Sequence, residues 1–172
     1  MEERYLRYKH LNQYLKEKFG ERTLKICIDG NFTCPNRSGK AGYGGCIFCS
    51  EKGSGDHLQR LSITEQVKNY FNSYRSQRAN KFIVYFQNFT NTVKNLKTKY
   101  DSSLIDDRIV GLEIATRPDC ITEEIAKLLS SYSDKYYVCV ELGLQTSNDE
   151  TSKFIKRGYL SNEFTKAVKI LN

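Results

Sequence analysis

Long hydrophobic runs are missing from this 172-residue sequence. The longest, within Lys81–Gln87, holds about five apolar residues, far below the roughly 18 that a membrane-spanning helix needs. The opening segment MEERYLRYKHLNQYLKEKFG is charged throughout and carries no apolar stretch, so no secretory signal is expected. The sequence therefore points to a cytoplasmic protein without a membrane partner. Proline occurs only twice, and no Pro/Gly/Ser linker, long repeat or low-complexity tract marks a domain boundary. With 39% apolar residues the chain can bury one real core and reads as a single domain. Six cysteines in a reducing compartment suit metal or redox chemistry better than disulfides.

The net charge of +7 is unevenly spread. Ile63–Tyr100 holds seven basic residues against one acidic, Asp101–Glu150 four against eleven, and Thr151–Asn172 five against one. Such blocks can attract a polyanion such as RNA, and Lys-rich solvated helix faces give the same count.

Helical and strand patterns alternate along the chain. A helix is expected around Glu3–Lys18, with His10 on its polar, solvent-facing side. Leu24–Asp29 reads as a strand, followed by a glycine-rich loop to about Asp56. Ser62 and Glu65 have the form of a capping box, opening a helix to about Arg75 with Ile63, Val67, Tyr70, Phe71 and Tyr74 at helical spacing. Lys81–Gln87 has the continuous apolar pattern of a strand buried on both faces. A short helix is expected within Thr92–Tyr100, then strands at Ile109–Thr116 and Tyr136–Leu144. Thr122 can cap a helix presenting Ile125, Leu128, Leu129 and Tyr132, Asn148 a short helix ended by Gly158, and Ser161 a last one. This order predicts an α/β fold with about four parallel strands and right-handed crossovers, its polar site at the strand C-termini.

After the first strand comes CPNRSGKAGYGGCIFC, placing Cys34, Cys46 and Cys49 in a C-x11-C-x2-C pattern. Three thiolates on a loop suit an iron–sulfur cluster or zinc. A structural zinc site wants a fourth ligand, for which His57 is the nearby candidate. A [4Fe–4S] cluster on three cysteines leaves one iron open to a small molecule. Gly39, Gly42, Gly44 and Gly45 let the loop fold tightly and bring N–H groups towards thiolate charge. Phe48 could lie against a flat ligand. Cys27 and Cys139 read as small core residues, and Cys120 as either buried or functional.

The cysteine loop, with GSGDH (Gly53–His57), YFQNFTNT, EIATRPDCI and ELGLQT, resembles the radical S-adenosylmethionine (SAM) superfamily. More narrowly it is similar to the YhcC/YtqA-like group, related to the elongator catalytic subunit and to oxygen-independent coproporphyrinogen oxidase. The resemblance implies a partial (β/α)6-type barrel, with residues 1–172 the N-terminal portion of the core, ending before a fifth strand. It implies a [4Fe–4S] cluster on Cys34, Cys46 and Cys49, with SAM contacted by Phe48, Glu113, Gln145 and Arg157. Arg157 would meet the SAM carboxylate, and Asn88, Asn91 or Thr92 the amino group. Tyr159 stands where relatives commonly carry a histidine. The activity implied is cleavage of SAM to a 5′-deoxyadenosyl radical, fed by a flavodoxin- or ferredoxin-like electron donor, in tRNA wobble-uridine modification. Two other readings stay open: a non-catalytic zinc-binding RNA-interaction module, and a radical SAM enzyme with a porphyrin-type small substrate.

Overall fold

The computed structural model describes residues 7–55, 58, 61–92 and 94–172. In chain order the elements are helix α1 (Leu11–Phe19), strand β1 (Thr23–Ile28), helix α2 (Ile63–Phe71), a 3-10 turn (Tyr74–Arg78) and strand β2 (Lys81–Phe86). Helix α3 (Leu96–Asp101), strand β3 (Ile109–Thr116), a 3-10 turn (Pro118–Cys120), helix α4 (Glu123–Ser133) and strand β4 (Tyr137–Leu142) follow. Two helices, α5 (Asp149–Phe154) and α6 (Ser161–Leu171), close the chain. The strands form one parallel sheet in the order β1-β2-β3-β4. This is the expected α/β architecture, consistent with part of a radical SAM barrel.

Period-2 alternation divides the strands between two faces. Ile26, Ile28, Val84, Phe86, Leu112 and Ile114 pack under α2, α3 and α4 with Val67, Tyr100, Leu129 and Tyr132. Aromatic rings lock this layer edge to face: Phe71 on Phe82 at 5.0 Å, Phe86 on Tyr100 at 5.2 Å and Tyr100 on Tyr132 at 5.9 Å between centroids. The opposite face is polar at its centre. Cys27, Tyr85, Glu113 and Cys139 stand side by side in register across all four strands. Cys27 and Cys139 are therefore half-buried neighbours of Glu113, not members of the helix-packed core that their apolar sequence surroundings suggest. Helix α1 packs at the N-terminal end of this face, where Tyr14 and Phe19 meet Tyr137.

Local chemistry sets most boundaries. Ser62 accepts from Glu65 N while Glu65 reaches back to Ser62 N, completing the capping box. Thr122 and Asn148 cap α4 and α5 as expected. Three starts differ. Helix α1 begins at Leu11 because His10 leaves the helical path and its Nδ1 accepts from Asn12 N, making it a half-buried N-cap; residues 3–6 of the expected helix lie outside the described ones. Helix α3 starts only at Leu96, since Thr92 is held by Thr116 and Asn95 turns left-handed at φ 53°. Leu160, not Ser161, is the N-cap of α6, and the Asp149 carboxylate takes the Ser161 N–H at 2.9 Å.

Candidate functional site

The C-terminal ends of the strands open into a cavity of about 360 Å³, within the size range of small-molecule sites. Cys34, Cys46 and Cys49 line it together with Phe48, Gln145 and Arg157. Of the residues expected to hold the cluster, and of the expected SAM contacts Phe48, Glu113, Gln145 and Arg157, the structure gathers all but one around a single space. Glu113 is the exception. It sits deeper on the polar sheet face, and the carboxylate that reaches the cavity is that of Glu141 on β4.

The cysteine loop is held by side chains that its spacing did not announce. Asn36 is buried, and its Nδ2 donates to Cys46 Sγ at 3.5 Å and to the Lys156 carbonyl at 2.6 Å. Gly42 and Gly158 make this possible. A Cβ on Gly42 would lie 2.3 Å from Asn36 Oδ1, and Gly158 adopts φ +82° against the same side chain. Arg37 closes the loop on itself: Nη1 donates to the Glu51 carbonyl at 3.0 Å, and Nη2 to those of Cys49, at 3.1 Å, and Ser50. Its guanidinium also lies over the Phe89 ring at 5.5 Å. The N–H groups of Gly39 and Gly45 bond the Gly42 and Asn36 carbonyls, so they fold the loop and are not spent on sulfur.

On the far wall Arg117 and Arg157 clasp the Tyr159 ring between them, at 4.7 and 4.3 Å. Arg117 pairs with Asp119 at 2.8 Å, donates to the Arg157 carbonyl at 2.9 Å and brings Nη1 to 3.9 Å from Cys34 Sγ. Tyr159 donates its hydroxyl to the Gly143 carbonyl. Arg157 is only 1% exposed. Its Nε donates to Tyr159 O and its Nη1 to the carbonyls of Leu144 and Thr146. Its Nη2 is buried and has no partner among the described residues. Gln145 and Phe89, both lining the cavity, stand in the left-handed region at φ 63° and 57°. Backbone held in this region costs free energy and clusters where side chains must be aimed.

Beneath the cavity lies a charged network. Lys25 pairs with Glu113 and stands 3.8 Å from Glu141 Oε1, and Tyr85 donates to Glu141 Oε2 at 2.5 Å. Burial, reinforced by the hydrogen bond to Glu141, pushes the Glu113 carboxyl up to about 7. Burial opposes ionisation of Glu141 too, but hydrogen bonds from Glu113 and Tyr85 and the charge of Lys25 hold it below the usual carboxylate value. Below about 7 the pair keeps a proton on Glu113 and a negative charge on Glu141, balanced by Lys25.

Asn88, Asn91 and Thr92 serve the fold, not the cavity. Asn88 bonds Asp29 at 3.0 Å, Asn91 the Phe86 and Ala115 carbonyls at 2.9 and 2.8 Å, and Thr92 the Thr116 hydroxyl at 2.6 Å. Gln87, Phe89 and Thr90 take the lining positions instead. Cys120 is half-buried, and its thiol is pushed up to about 12 by burial and by Asp119, which leaves it an inert thiol. His57 lies outside the described residues.

Three free thiols facing one cavity, flanked by the Asn36 amide and the Arg117 guanidinium, are a donor set chemically suited to an iron–sulfur cluster. Among the described residues, no three His, Cys, Asp or Glu side chains are gathered closely enough to hold a metal ion. Sequence reasoning missed Lys25, Asn36, Arg37, Tyr85 and Arg117. Only Arg117 had a usable signal, as a cation at the C-terminal end of a strand. Asn36 and Arg37 sit inside the cysteine loop with no spacing to mark them, and Lys25 and Tyr85 reach the site from separate strands.

Among the described residues no helix is long and apolar enough to cross a membrane. Comparison with known proteins places these features. YtqA of Bacillus subtilis (strain 168), itself described as uncharacterized, is 40% identical over 96% of this chain and 53% of its own length. YhcC of Escherichia coli (strain K12) is 39% identical over 84% of this chain and 48% of its own length. The uncharacterized MJ0486 of Methanocaldococcus jannaschii is 32% identical over 91% and 50% respectively. The chain thus spans about half the length of these curated relatives. The sequence profile of the radical SAM superfamily matches residues 34–172, from the first cavity cysteine to the last residue, and the chain belongs to this enzyme superfamily.

Proposed function

We propose that this chain is the cluster-bearing part of a radical SAM enzyme, with a [4Fe–4S] cluster on Cys34, Cys46 and Cys49 and SAM in the cavity they share. The observation that carries this reading is Arg157, a buried cavity-lining guanidinium with one unpartnered nitrogen beside three free thiols. A buried guanidinium nitrogen without an acceptor is costly, and an incoming carboxylate removes that cost with a charge-assisted hydrogen bond. What the cluster would supply is the electron that splits bound SAM into methionine and a 5′-deoxyadenosyl radical able to take hydrogen from a substrate.

The chain's own groups do the placing. Arg157 takes the carboxylate end of the ligand. Gln145 offers an amide from a backbone position fixed by its left-handed turn, and Phe48 gives the flat adenine an apolar surface. Glu141, backed by Glu113 and by Lys25, presents a carboxylate to ribose hydroxyls or an ammonium group. Arg117 and Asn36 bring positive charge and an N–H donor to the thiolates. For the substrate we favour the wobble uridine of tRNA, a choice supported by the basic segments and by the resemblance to the YhcC/YtqA-like group, with an external flavodoxin- or ferredoxin-like protein as reductant.

Anaerobic reconstitution with iron and sulfide tests the first half. The expected protein carries iron and sulfide, shows the broad visible absorption of thiolate–iron centres, and releases 5′-deoxyadenosine from SAM under reduction. Alanine at any of the three cysteines should abolish iron loading. One stoichiometric zinc and no iron uptake would instead establish the zinc-binding module. The substrate is tested by nucleoside analysis of tRNA from a deletion strain: loss of a modified wobble uridine supports it, and an unchanged profile rejects it.

A further inference from the structure

Nine large apolar side chains are left exposed among the described residues, and five of them, Tyr43, Ile47, Phe48, Phe154 and Leu160, lie on two segments that rim the cavity, the cysteine loop and α5 with the turn after it. Three observations join them. The Ile47 N–H bonds the Ile155 carbonyl at 3.1 Å, seating the cysteine loop on the end of α5. Tyr43 and Leu160 line a second, shallow hollow together with Lys153 and Lys156. Phe48 belongs to the wall of the main cavity itself. Tyr43 is 84% and Phe154 74% exposed, so these rings contribute little to the core and present their faces to whatever approaches.

The charge around the rings leans positive. Lys40, Lys52, Lys153 and Lys156 are exposed on the same two segments, against the exposed acids Glu51 and Glu150 and the half-buried Asp149, whose carboxylate takes the Ser161 N–H. Glu150 pairs with Lys153 at 2.7 Å, leaving an excess of cations. Interfaces between proteins tend to exclude lysine from their aromatic centre, whereas platforms for single-stranded nucleic acid interleave flat rings with cations. The basic stretch Ile63–Tyr100 is a poorer candidate. Arg75 and Arg78 precede β2, at the end of the sheet remote from the cavity, and Lys99 is turned onto Phe32 and the Gly30 and Asn31 carbonyls.

We infer that this rim is the docking surface for unpaired nucleotides of an RNA substrate, stacking bases on Tyr43 and Phe154 while Lys40, Lys153 and Lys156 meet the phosphates. The inference rests on the RNA-substrate reading above and deepens it by assigning the contact surface. Phe48, which carries the rim into the cavity wall, puts the docking surface next to the site that a nucleotide must reach if it is modified outside a duplex.

The test is fluorescence anisotropy of the reconstituted chain with an unmodified tRNA transcript and a short labelled oligouridylate, over a range of salt. Phe154→Leu, the double variant Tyr43→Ala/Phe154→Ala, and Lys153→Glu/Lys156→Glu are compared with Arg75→Glu/Arg78→Glu, all with iron content and circular dichroism as controls on folding. Loss of the two rings should weaken both probes by about tenfold or more, with Phe154→Leu intermediate. Charge reversal should weaken binding and flatten its salt dependence, by a slope of about one for each phosphate no longer neutralised. Wild-type affinity in the rim variants, with binding lost in Arg75→Glu/Arg78→Glu, would overturn the rim and leave the RNA substrate standing. No RNA binding by the wild-type chain at low salt would overturn both. Rim variants that bind RNA normally but are reduced more slowly by a ferredoxin would reassign the surface to an acidic electron carrier.

Discussion

Arg37 shows how much one side chain can organise without touching a ligand. Its two terminal nitrogens hold three successive carbonyls, those of Cys49, Ser50 and Glu51, and Phe89 supports its plane. Lysine keeps the charge but not the fork. In Arg37→Lys, amide exchange over residues 46–53 of the metal-free protein should therefore quicken by roughly tenfold or more, since hydrogen bonds to a charged group are each worth about 1.5–3 kcal/mol. Exchange unchanged from wild type would deny Arg37 this task. Glu113 carries a second prediction at this scale. Its folded carboxyl titrates above an ordinary glutamate, so the folded chain holds more protons than the unfolded one between about 4.5 and about 7. Stability from this group is full below that window and is lost as pH rises through it. Glu113→Gln stays neutral, and its denaturation midpoint relative to wild type should rise by the equivalent of roughly 1–3 kcal/mol between pH 5 and pH 8. A pH-independent difference would contradict the proton-sharing pair.

Among the elements, those read best from sequence carry their own instructions. β3 is expected at Ile109–Thr116 and lies there, because a mainly apolar, β-branched-rich run, broken only by Gly111 and Glu113, is bounded by Arg108 on one side and Arg117-Pro118 on the other. The capping box of α2 and the caps of α4 and α5 are likewise local chemistry. What sequence could not supply is convergence. Asn88, Asn91 and Thr92 look like ligand groups in a loop, yet β3 and Asp29 claim them. Glu113 reads in the sequence as a contact of the site, while the register across β3 and β4 is what puts Glu141 nearer the cavity. The link between the β2–β3 connection and the core can be tested. Tyr100 is fully buried and donates to the Asn91 carbonyl at 2.6 Å. Tyr100→Phe keeps the ring and strands that carbonyl, so we expect a loss of about 1–3 kcal/mol in urea unfolding. A neutral result would show that another donor replaces the hydroxyl.

At the scale of the whole molecule, β4 pairs only with β3 among the described residues. Beside it, between α4 and α6, runs an apolar groove of about 410 Å³ lined by Leu129, Val138, Val140, Val168 and Leu171. An open strand edge next to apolar surface favours association with further polypeptide or with hydrophobic probes. The isolated chain should bind an environment-sensitive dye saturably, and Val168→Lys should weaken that binding several-fold while leaving far-ultraviolet circular dichroism unchanged. Dye binding indifferent to Val168→Lys would place the apolar surface elsewhere. The Asn36 amide has a consequence of another kind, in time. It joins Cys46 to the backbone of Lys156, which follows Asn36 by 120 residues. During synthesis, Cys46 leaves the ribosome long before its tether exists, and the thiols stay open to oxidation or to stray metals until α5 has emerged and docked. The loop is thus finished only after the wall it rests on.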